Sequence, residues 1–488
     1  MDTARELPDS PRRRWVGLVA GLAAFALALA LPLPGPLGPE ARRTLAVALL
    51  MASWWMTEAL PLAATALVPL ALFPVLGIMP PADTASPYAD PVIFLFLGGF
   101  LLAQSMERWG LHRRIALAVV RAIGGGAGRL VFGVMAATAI ISMWVSNTAT
   151  AAMMLPVGVA IAELLRPADR SAPYPFATAL MLGIAYGATI GGLGTLIGTP
   201  PNLVLAAAAR QLLGHEVGFV EWMAVGVPLM LLLLPLAWFL LVRVLFRPEP
   251  LAGDAGGIIE REWRALGPLK RGELVTMAVF AVTVLGWLFR EPKPLGAITV
   301  PGLTGLVPWL DDATIAMIGA LLLFLIPVDA RRAVFALDWS AAARVPWGIL
   351  LLFGGGLALA GAFERSGLTN AIGGAVAGLA TLPVPLLLVL VGALFIALSE
   401  LASNTAVAAM AMPVLAAAAR GAGADPLPFM VCGALASSTA FMLPVGTPPN
   451  AIVFGTGYVS MGAMLRAGVW MDLASAVLVT AVVLGRWG

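Results

Sequence analysis

The sequence predicts an all-α integral membrane protein with about eleven transmembrane helices and two re-entrant hairpins in an inverted repeat. Composition is the first reason. Of 488 residues, 60% are hydrophobic and 11% are charged, and the mean hydropathy is +0.95, whereas charged residues approach a quarter of an average soluble domain. Long apolar runs without polar alternation are the second reason, because they exclude a lipid-facing β-barrel and leave helices. The third is a pair of polar motifs that occurs twice.

The polar residues exclude several other classes of protein. The formal net charge is only +3, and no basic stripe with interleaved aromatic residues is present, so no nucleic-acid partner is expected. His112 and His215 lack cysteine or carboxylate neighbours at ligand spacing, so a transition-metal site is not expected. The single cysteine, Cys432, excludes an intramolecular disulfide.

The N-terminal elements are a polar segment and a series of spans. Residues 1–14 end in three consecutive arginines, and the apolar run 15–33 exceeds the roughly 7 to 15 residues of a signal-peptide core. The N-terminus is therefore expected in the cytoplasm, because arginine and lysine mark the inner side. Further spans are predicted near 44–57, 60–78 and 91–108. A basic amphipathic segment, 111–121, should then lie in the membrane interface.

The next two apolar stretches are each interrupted at mid-length. Ser146-Asn147-Thr148 divides 129–164 into limbs of roughly 16 residues, each short of the approximately 20 that a span needs. A re-entrant hairpin is therefore predicted there. The stretch 175–212 contains glycines and a Pro-Pro pair between Gly191 and Asn202, so it cannot be one regular helix. It is predicted to be a broken helix.

The second half of the chain repeats this order. Spans are predicted near 223–246, 272–289, 312–327 and 346–364. A hairpin at 384–419 is broken at Ser403-Asn404-Thr405, and a span at 427–458 is broken between Leu443 and Pro449. A last span begins near 467.

The two halves are related by the spacing of their motifs. Ser146 recurs as Ser403 and Thr199 recurs as Thr447, with offsets of 403 − 146 = 257 and 447 − 199 = 248. The flanks of the first hairpin are basic, whereas 366–383 contains no arginine or lysine, so the hairpins are expected to enter from opposite faces. Eleven spans with the N-terminus inside place the C-terminus outside. Inverted repeats of this kind hold substrate and ion sites near the midplane.

The breaks have a chemistry that suits ions. Each presents the N–H groups at the start of one half-helix, which favour an anion, and the carbonyls at the end of another, which favour a cation. Serine, threonine and asparagine can also bind carboxylates and small cations. Helix capping alone is the alternative, but two motif pairs in register favour binding. No enzyme is predicted, because the breaks contain neither His nor Cys as a base or nucleophile. Glu400 is the one charge within either hairpin motif, and its role stays open.

At these residues the chain resembles the divalent anion/sodium symporter family, which includes bacterial dicarboxylate transporters and human sodium-coupled carboxylate carriers. The most specific part is 437–453, which reads Ser-Ser-Thr-Ala-Phe-Met-Leu-Pro-Val-Gly-Thr-Pro-Pro-Asn-Ala-Ile-Val, together with both Ser-Asn-Thr tips. In the first copy, Leu193 and Leu196 stand where Phe441 and Pro444 stand in the second. The likeness covers nearly the whole length of the chain.

The resemblance implies a homodimer in which a scaffold part holds the dimer interface while a transport part slides through the bilayer as an elevator. The implied scaffold comprises 15–122 and 272–383, and the implied transport part comprises 123–247 and 384–488. The segments 1–14 and 248–271 would be a cytoplasmic N-terminus and a cytoplasmic connecting loop.

The resemblance also implies the site residues. One sodium ion would bind Ser142, Asn147 and the backbone of Gly198, and a second would bind Ser399, Asn404 and the backbone of Gly446. Substrate carboxylates would meet Ser146, Asn147, Thr148, Ser403, Asn404 and Thr405, with Thr199, Pro200, Thr447 and Pro448 lining the pocket.

The implied function is sodium-coupled transport of C4-type dicarboxylates across the cytoplasmic membrane of a bacterium. Succinate, malate and fumarate are the expected substrates, with 2-oxoglutarate and citrate as alternatives. Sodium-independent dicarboxylate exchange and sulfate transport by the same fold also stay open.

Overall fold

The computed structural model describes residues 11–30, 38–166, 174–249, 255–295, 298–376, 378 and 381–487. In the first half, the helices are α1 (Pro11–Ala30), α2 (Pro39–Thr57), α3 (Leu62–Thr65), α4 (Val68–Val75), α5 (Pro81–Ala85), α6 (Pro91–Trp109), α7 (Leu111–Ile123), α8 (Ala127–Ser142), α9 (Asn147–Leu164), α10 (Pro175–Gly192), α11 (Pro200–Leu213), α12 (Phe219–Phe239) and α13 (Ala255–Ala265). Short 3₁₀ turns form at Ser86–Ala89 and Leu303–Gly305, and a π-helical segment, Leu240–Leu245, extends α12.

The second half continues the helical architecture. Its helices are α14 (Arg271–Leu288), α15 (Asp312–Leu325), α16 (Trp339–Ala342), α17 (Trp347–Arg365), α18 (Leu368–Val376), α19 (Val384–Leu401), α20 (Asn404–Gly421), α21 (Pro426–Ser437), α22 (Pro448–Phe454) and α23 (Met461–Trp487). Four short strands form two antiparallel hairpins: β1 (Lys293–Leu295) pairs with β2 (Ile298–Val300), and β3 (Pro327–Asp329) pairs with β4 (Val334–Phe335).

The prediction of helical spans is confirmed in its coarse form. Among the described residues, eight helices are long and apolar enough to cross a membrane, and five more apolar helices are shorter. The count of eleven stays a prediction. The predicted span 60–78 is divided into α3 and α4, and Pro69, in the first turn of α4, contributes to this division because it cannot donate to the carbonyl of Thr65. Most of 1–14 and part of 248–271 lie outside the described residues.

The purely helical prediction was wrong at the two connections that flank α15. Both carry β-hairpins, β1–β2 before the helix and β3–β4 after it. The first of these connections holds Pro292, Pro294 and Pro301, which cannot donate the hydrogen bonds that a helix needs. The strands are only two or three residues long. Such strands are too short to show the alternation of apolar and polar residues that predicts a strand from sequence.

The four predicted interruptions are present, but the first limb of the second broken helix ends at Ser437, earlier than the predicted break between Leu443 and Pro449. The first hairpin is formed by α8 and α9 and the second by α19 and α20. The first broken helix is interrupted between Gly192 and Pro200, and the second between Ser437 and Pro448. The local chemistry explains each restart. Ser146 accepts a hydrogen bond from Ala149 N as the N-cap of α9, and proline begins both α11 and α22, a position where its missing N–H costs nothing.

The two halves interlock through equivalent helices. In the first half α10 packs on α8, and in the second α21 packs on α19. The halves join where α10 meets α22, where α11 meets α21 and where α12 meets α23. Close approach of α10 to α8 depends on a glycine face. A Cβ built on Gly191 would lie 2.3 Å from Ala139 O, and one built on Gly187 would lie 2.7 Å from Met135 O. Small residues allow such backbone contact within membranes.

The ion pairs between distant segments agree with the predicted order of spans. Three ion pairs join residues assigned to the outer side: Arg210 with Asp90 at 2.7 Å, Arg365 with Asp83 at 2.8 Å and Arg420 with Glu364 at 2.6 Å. Two pairs join residues assigned to the inner side: Arg108 with Asp338 and Arg114 with Glu273, both at 2.7 Å. Each contact therefore joins residues that the span order places on one face. The orientation of the whole chain stays a prediction.

Opposed entry of the hairpins can be tested by cysteine labelling at their bases. Gly126 precedes α8, Thr381 precedes α19, and both are exposed. We expect a membrane-impermeant maleimide to label Gly126→Cys only from the cytoplasmic side and Thr381→Cys only from outside. The native Cys432 is buried and should stay unlabelled in the parent protein, which serves as the control. Labelling of both positions from one side would contradict the inverted repeat.

Candidate functional site

The first hairpin and the first broken helix meet at a group of oxygen atoms. Ser142 Oγ lies 2.8 Å from Asn147 Oδ1 and 2.7 Å from Ala188 O. A Cβ built on Gly192 would lie 2.4 Å from Asn147 Oδ1, and one built on Gly198 would lie 2.5 Å from Gly192 O. The structure therefore brings Ser142, Asn147 and Gly198 together around Gly192. We call these four residues the first oxygen cluster.

Two further side chains hold the first break in place, and the sequence prediction missed both roles. Thr195 Oγ1 donates to Met143 O at the hairpin tip. Asn202 is fully buried, and its Nδ2 donates to Gly192 O at 3.0 Å and to Thr195 O at 2.7 Å. Carbonyls that lost their helical partners are satisfied in this way. Asn202 stands in the Thr-Pro-Pro-Asn motif, which was the available signal.

The second hairpin and the second broken helix form a related group. Ser399 Oγ and Asn404 Oδ1 are buried and have no hydrogen-bond partner in the described part of the chain. A Cβ built on Gly446 would lie 2.7 Å from Glu400 Oε2. We call the predicted ligands Ser399, Asn404 and Gly446 the second oxygen cluster; the hydrogen bonds that Glu400 accepts from Met442 N and Leu443 N join their hairpin to their broken helix. Asn450 repeats the role of Asn202, because its Nδ2 donates to Leu443 O at 3.0 Å.

Two buried carboxylates hold the second break. Glu400 accepts hydrogen bonds from Met442 N at 2.7 Å and from Leu443 N at 2.8 Å. Asp472, on α23, accepts from Phe441 N at 3.1 Å, and its side chain lies beside that of Glu400. Glu400 thus has a role that the sequence left open. Asp472 was missed, although an acid in an apolar span is itself a signal of function.

The predicted substrate-binding residues lie at the tips and the restarts of the broken helices. Ser146, Asn147, Ser403, Asn404, Thr405 and Pro200 are half-buried, Thr148 and Pro448 are exposed, and Thr199 and Thr447 are buried. Helix α10 of the first half contacts the second break, because Tyr186 donates its hydroxyl to Phe441 O at 3.3 Å. No hydrogen bond of the described residues joins the two hairpin tips to each other.

The side-chain oxygens at the breaks are suitable ligands for an alkali cation. Several buried side-chain oxygens without a partner in the described residues lie at or next to the breaks: Thr189 Oγ1, Asn202 Oδ1, Ser399 Oγ, Asn404 Oδ1 and Asn450 Oδ1; others, such as Thr44 Oγ1 and Thr65 Oγ1, lie elsewhere. Such oxygens are costly to bury unless a donor or a cation meets them. Neutral hydroxyl and amide oxygens are hard ligands. The described residues contain no group of three or more His, Cys, Asp or Glu side chains that could hold a metal ion.

The fold and these breaks define a class of protein. A chain with eight helices that are long and apolar enough to cross a membrane, among its described residues, and with unwound segments between apolar helices has the architecture of a multi-pass membrane protein, and solved structures share its fold. The chain is similar to the YdaH transporter of Alcanivorax borkumensis, with a TM-score of 0.56 and 18% identity over 90% of this chain and 98% of that one. It is equally similar to MtrF of Neisseria gonorrhoeae, with a TM-score of 0.56 and 13% identity over 98% and 95%. Likeness at such identities concerns the fold alone.

Sequence comparison gives the family. Residues 12–488 match the model described as the sodium:sulfate symporter transmembrane region, and the chain belongs to this family, as its motifs predicted. The sodium-dependent dicarboxylate transporter SdcS of Staphylococcus saprophyticus is 41% identical over 481 residues, which is 96% of this chain and 90% of the relative. The protein of the same name from Staphylococcus aureus (strain bovine RF122) is 42% identical over the same shares.

The first oxygen cluster can be tested at Gly192. We expect Gly192→Ala to weaken sodium binding by about tenfold, as changes next to a metal ligand commonly do, because the added methyl group would overlap Asn147 Oδ1. The measurement is thermal stabilisation of purified protein as sodium replaces choline. Gly374→Ala is the matched control, since a Cβ built there meets nothing within 4 Å. Identical sodium dependence in both variants would contradict the placement of the ion beside Asn147.

Proposed function

We propose that this protein is a secondary active transporter that moves C4-type dicarboxylates, such as succinate, malate and fumarate, together with sodium. The observation that supports this function most directly is the pair of oxygen clusters, each of which comprises residues of a hairpin and of a broken helix. The names of the relatives at 41 and 42% identity, which are sodium-dependent dicarboxylate transporters, support the same reading.

Charge balance gives the reason for coupling. Residues 139–158, 176–209 and 429–456 contain no Asp, Glu, Lys or Arg, so a bound dianion would meet no cationic side chain from these segments. The start of a helix contributes about 0.3 to 2 kcal/mol toward an anion, whereas desolvating an ion costs several kcal/mol. Sodium beside the tips supplies the missing positive charge.

The residues divide into two roles under this proposal. Sodium would be held by Ser142, Asn147 and Gly198 in one half, and by Ser399, Asn404 and Gly446 in the other. The substrate carboxylates would accept hydrogen bonds from Ser146, Thr148, Ser403 and Thr405 and from Asn147 and Asn404, with Thr199, Pro200, Thr447 and Pro448 around them. Because both asparagines serve both ions, cation and anion binding favour each other by linkage.

Coupling is tested by calorimetric titration and by proteoliposome uptake. We expect succinate affinity to rise with sodium, sodium affinity to rise equally with succinate, and labelled succinate uptake to need a sodium gradient. Asn147→Ala and Asn404→Ala should weaken binding of both ions by at least about tenfold, while Asn370→Ala, an exposed asparagine on α18, should change neither.

Two other outcomes would identify a different transporter of the same fold. Equal succinate affinity in sodium and in choline would contradict symport and favour a sodium-independent dicarboxylate exchanger. Sulfate is the second candidate substrate, because the description of the matched family model names it. Uptake that unlabelled sulfate abolishes and succinate does not would make the protein a sulfate transporter.

The transport mechanism proposed here is an elevator within a homodimer in the bacterial cytoplasmic membrane, with the N-terminus inside and the C-terminus outside. The moving part would be 123–247 with 384–488, and the scaffold would be 15–122 with 272–383. Hydrogen bonds at the breaks join segments of the moving part to one another, which supports movement as a unit. The contact between α17 of the scaffold and α11 and α20 includes the small residues Ala208, Gly356 and Ala409 beside larger ones such as Phe353, and sliding would take place there.

A disulfide across this contact tests the elevator. A Cβ built on Gly356 lies 3.2 Å from Ala409 Cβ, close to the separation of about 3.8 Å in natural disulfides. We expect the double variant Gly356→Cys, Ala409→Cys to lose uptake on oxidation, to keep sodium-dependent succinate binding, and to recover uptake on reduction.

The control is a disulfide inside the scaffold. A Cβ on Gly348 would lie 3.3 Å from Ala63 Cβ, so the variant Gly348→Cys, Ala63→Cys should oxidise equally well and still transport. Full uptake by the Gly356–Ala409 protein, with its disulfide verified by mass spectrometry, would rule out movement at this contact.

A further inference from the structure

The two oxygen clusters differ in how far their own atoms satisfy one another. In the first cluster, Asn147 Oδ1 accepts a hydrogen bond from Ser142 at 2.8 Å. In the second, Ser399 Oγ and Asn404 Oδ1 are buried without a partner in the described structure, and Ser399 is fully buried. A cation entering the first cluster competes with an existing hydrogen bond, whereas one entering the second satisfies oxygens that have none.

The clusters also differ in charge. Glu400 directly follows Ser399, and its Oε2 lies against Gly446. The residue at the corresponding place in the first half is Met143, since 400 − 257 = 143. One cluster therefore has a carboxylate beside two of its three residues, and the other has a neutral thioether.

Glu400 is placed to act through its neighbours and not as a ligand. Its two carboxylate oxygens accept from Met442 N and Leu443 N, so both oxygens are directed at the backbone of the second break. Those two bonds fix the loop that leads into Gly446, whose backbone belongs to the second cluster. Outer-shell partners of this kind orient the ligands and tune the affinity of a metal site.

From these contacts we propose that Glu400 is a positioning residue that makes the second oxygen cluster bind sodium more tightly than the first, so that sodium fills the two sites in a fixed order. The second hairpin binds its ion first. The first hairpin binds last, and its ion is the one whose occupancy follows the substrate. This order rests on the proposed sodium coupling. It makes the two sodium sites unequal in affinity, a difference that the repeat of the two halves does not by itself predict.

The test is a sodium-binding isotherm of the purified protein, followed by tryptophan fluorescence and calorimetry as sodium replaces choline. Wild type should show two phases. Asn404→Ala should abolish the tighter phase, and Asn147→Ala only the weaker one. Glu400→Gln should weaken the tighter phase by ten- to hundredfold, the range for outer-shell partners, and leave the weaker phase within about threefold of its wild-type affinity.

A control variant separates this role from general damage. Glu249→Gln removes an exposed acid and should change nothing. If Glu400→Gln fails to fold, the two asparagine variants still decide the order.

Three results would separate failure of this inference from failure of sodium coupling. Loss of the tighter phase in Asn147→Ala would reverse the order and overturn the inference. Unchanged sodium affinity in folded Glu400→Gln would remove Glu400 from the site while leaving coupling intact. Absence of any sodium binding by the wild-type protein would overturn sodium coupling itself, and the inference with it.

Discussion

Every interrupted helix within a membrane must find new partners for its backbone groups, because lipid offers none. This constraint explains why the polar side chains lie where they do. Asn202 and Asn450 occupy equivalent positions and donate to the carbonyls of their own breaks. Glu400 and Asp472 accept from the amides of the second break. Once these groups are satisfied, the remaining oxygens of both tips are available for ions.

The halves solve this problem differently, and the difference creates asymmetry within a symmetric fold. Both breaks begin with local turns: Leu193 N donates to Ile190 O in the first, and Ser438 N donates to Leu435 O in the second. The second break is longer and also depends on Glu400 and Asp472, acids from two other helices. Under the proposed sodium coupling, Glu400 would be both a backbone acceptor and a neighbour of a sodium ligand.

Much of this arrangement could be predicted from the sequence, because local signals determine it. Pro-Pro pairs and Ser-Asn-Thr tips interrupt the apolar runs in which they stand and begin the next helix, and their repetition predicted the inverted halves. Contacts between distant segments could not be predicted. The pairing of Asp472 with Phe441 N, the approach of Gly192 to Asn147 and the link from Thr195 to Met143 each depend on packing that no local pattern encodes. The β-hairpins around α15 were missed because their strands are too short for a periodic signal.

The central claim is that sodium, and not a basic side chain, balances the charge of the bound dicarboxylate. A high-resolution structure of the protein in sodium and succinate, within a lipid nanodisc, tests this most directly. We expect succinate between the two tips, one ion at Ser142, Asn147 and Gly198, another at Ser399, Asn404 and Gly446, and no arginine or lysine in contact with either carboxylate. An arginine or lysine bound to the substrate, with no ion at either cluster, would contradict the claim.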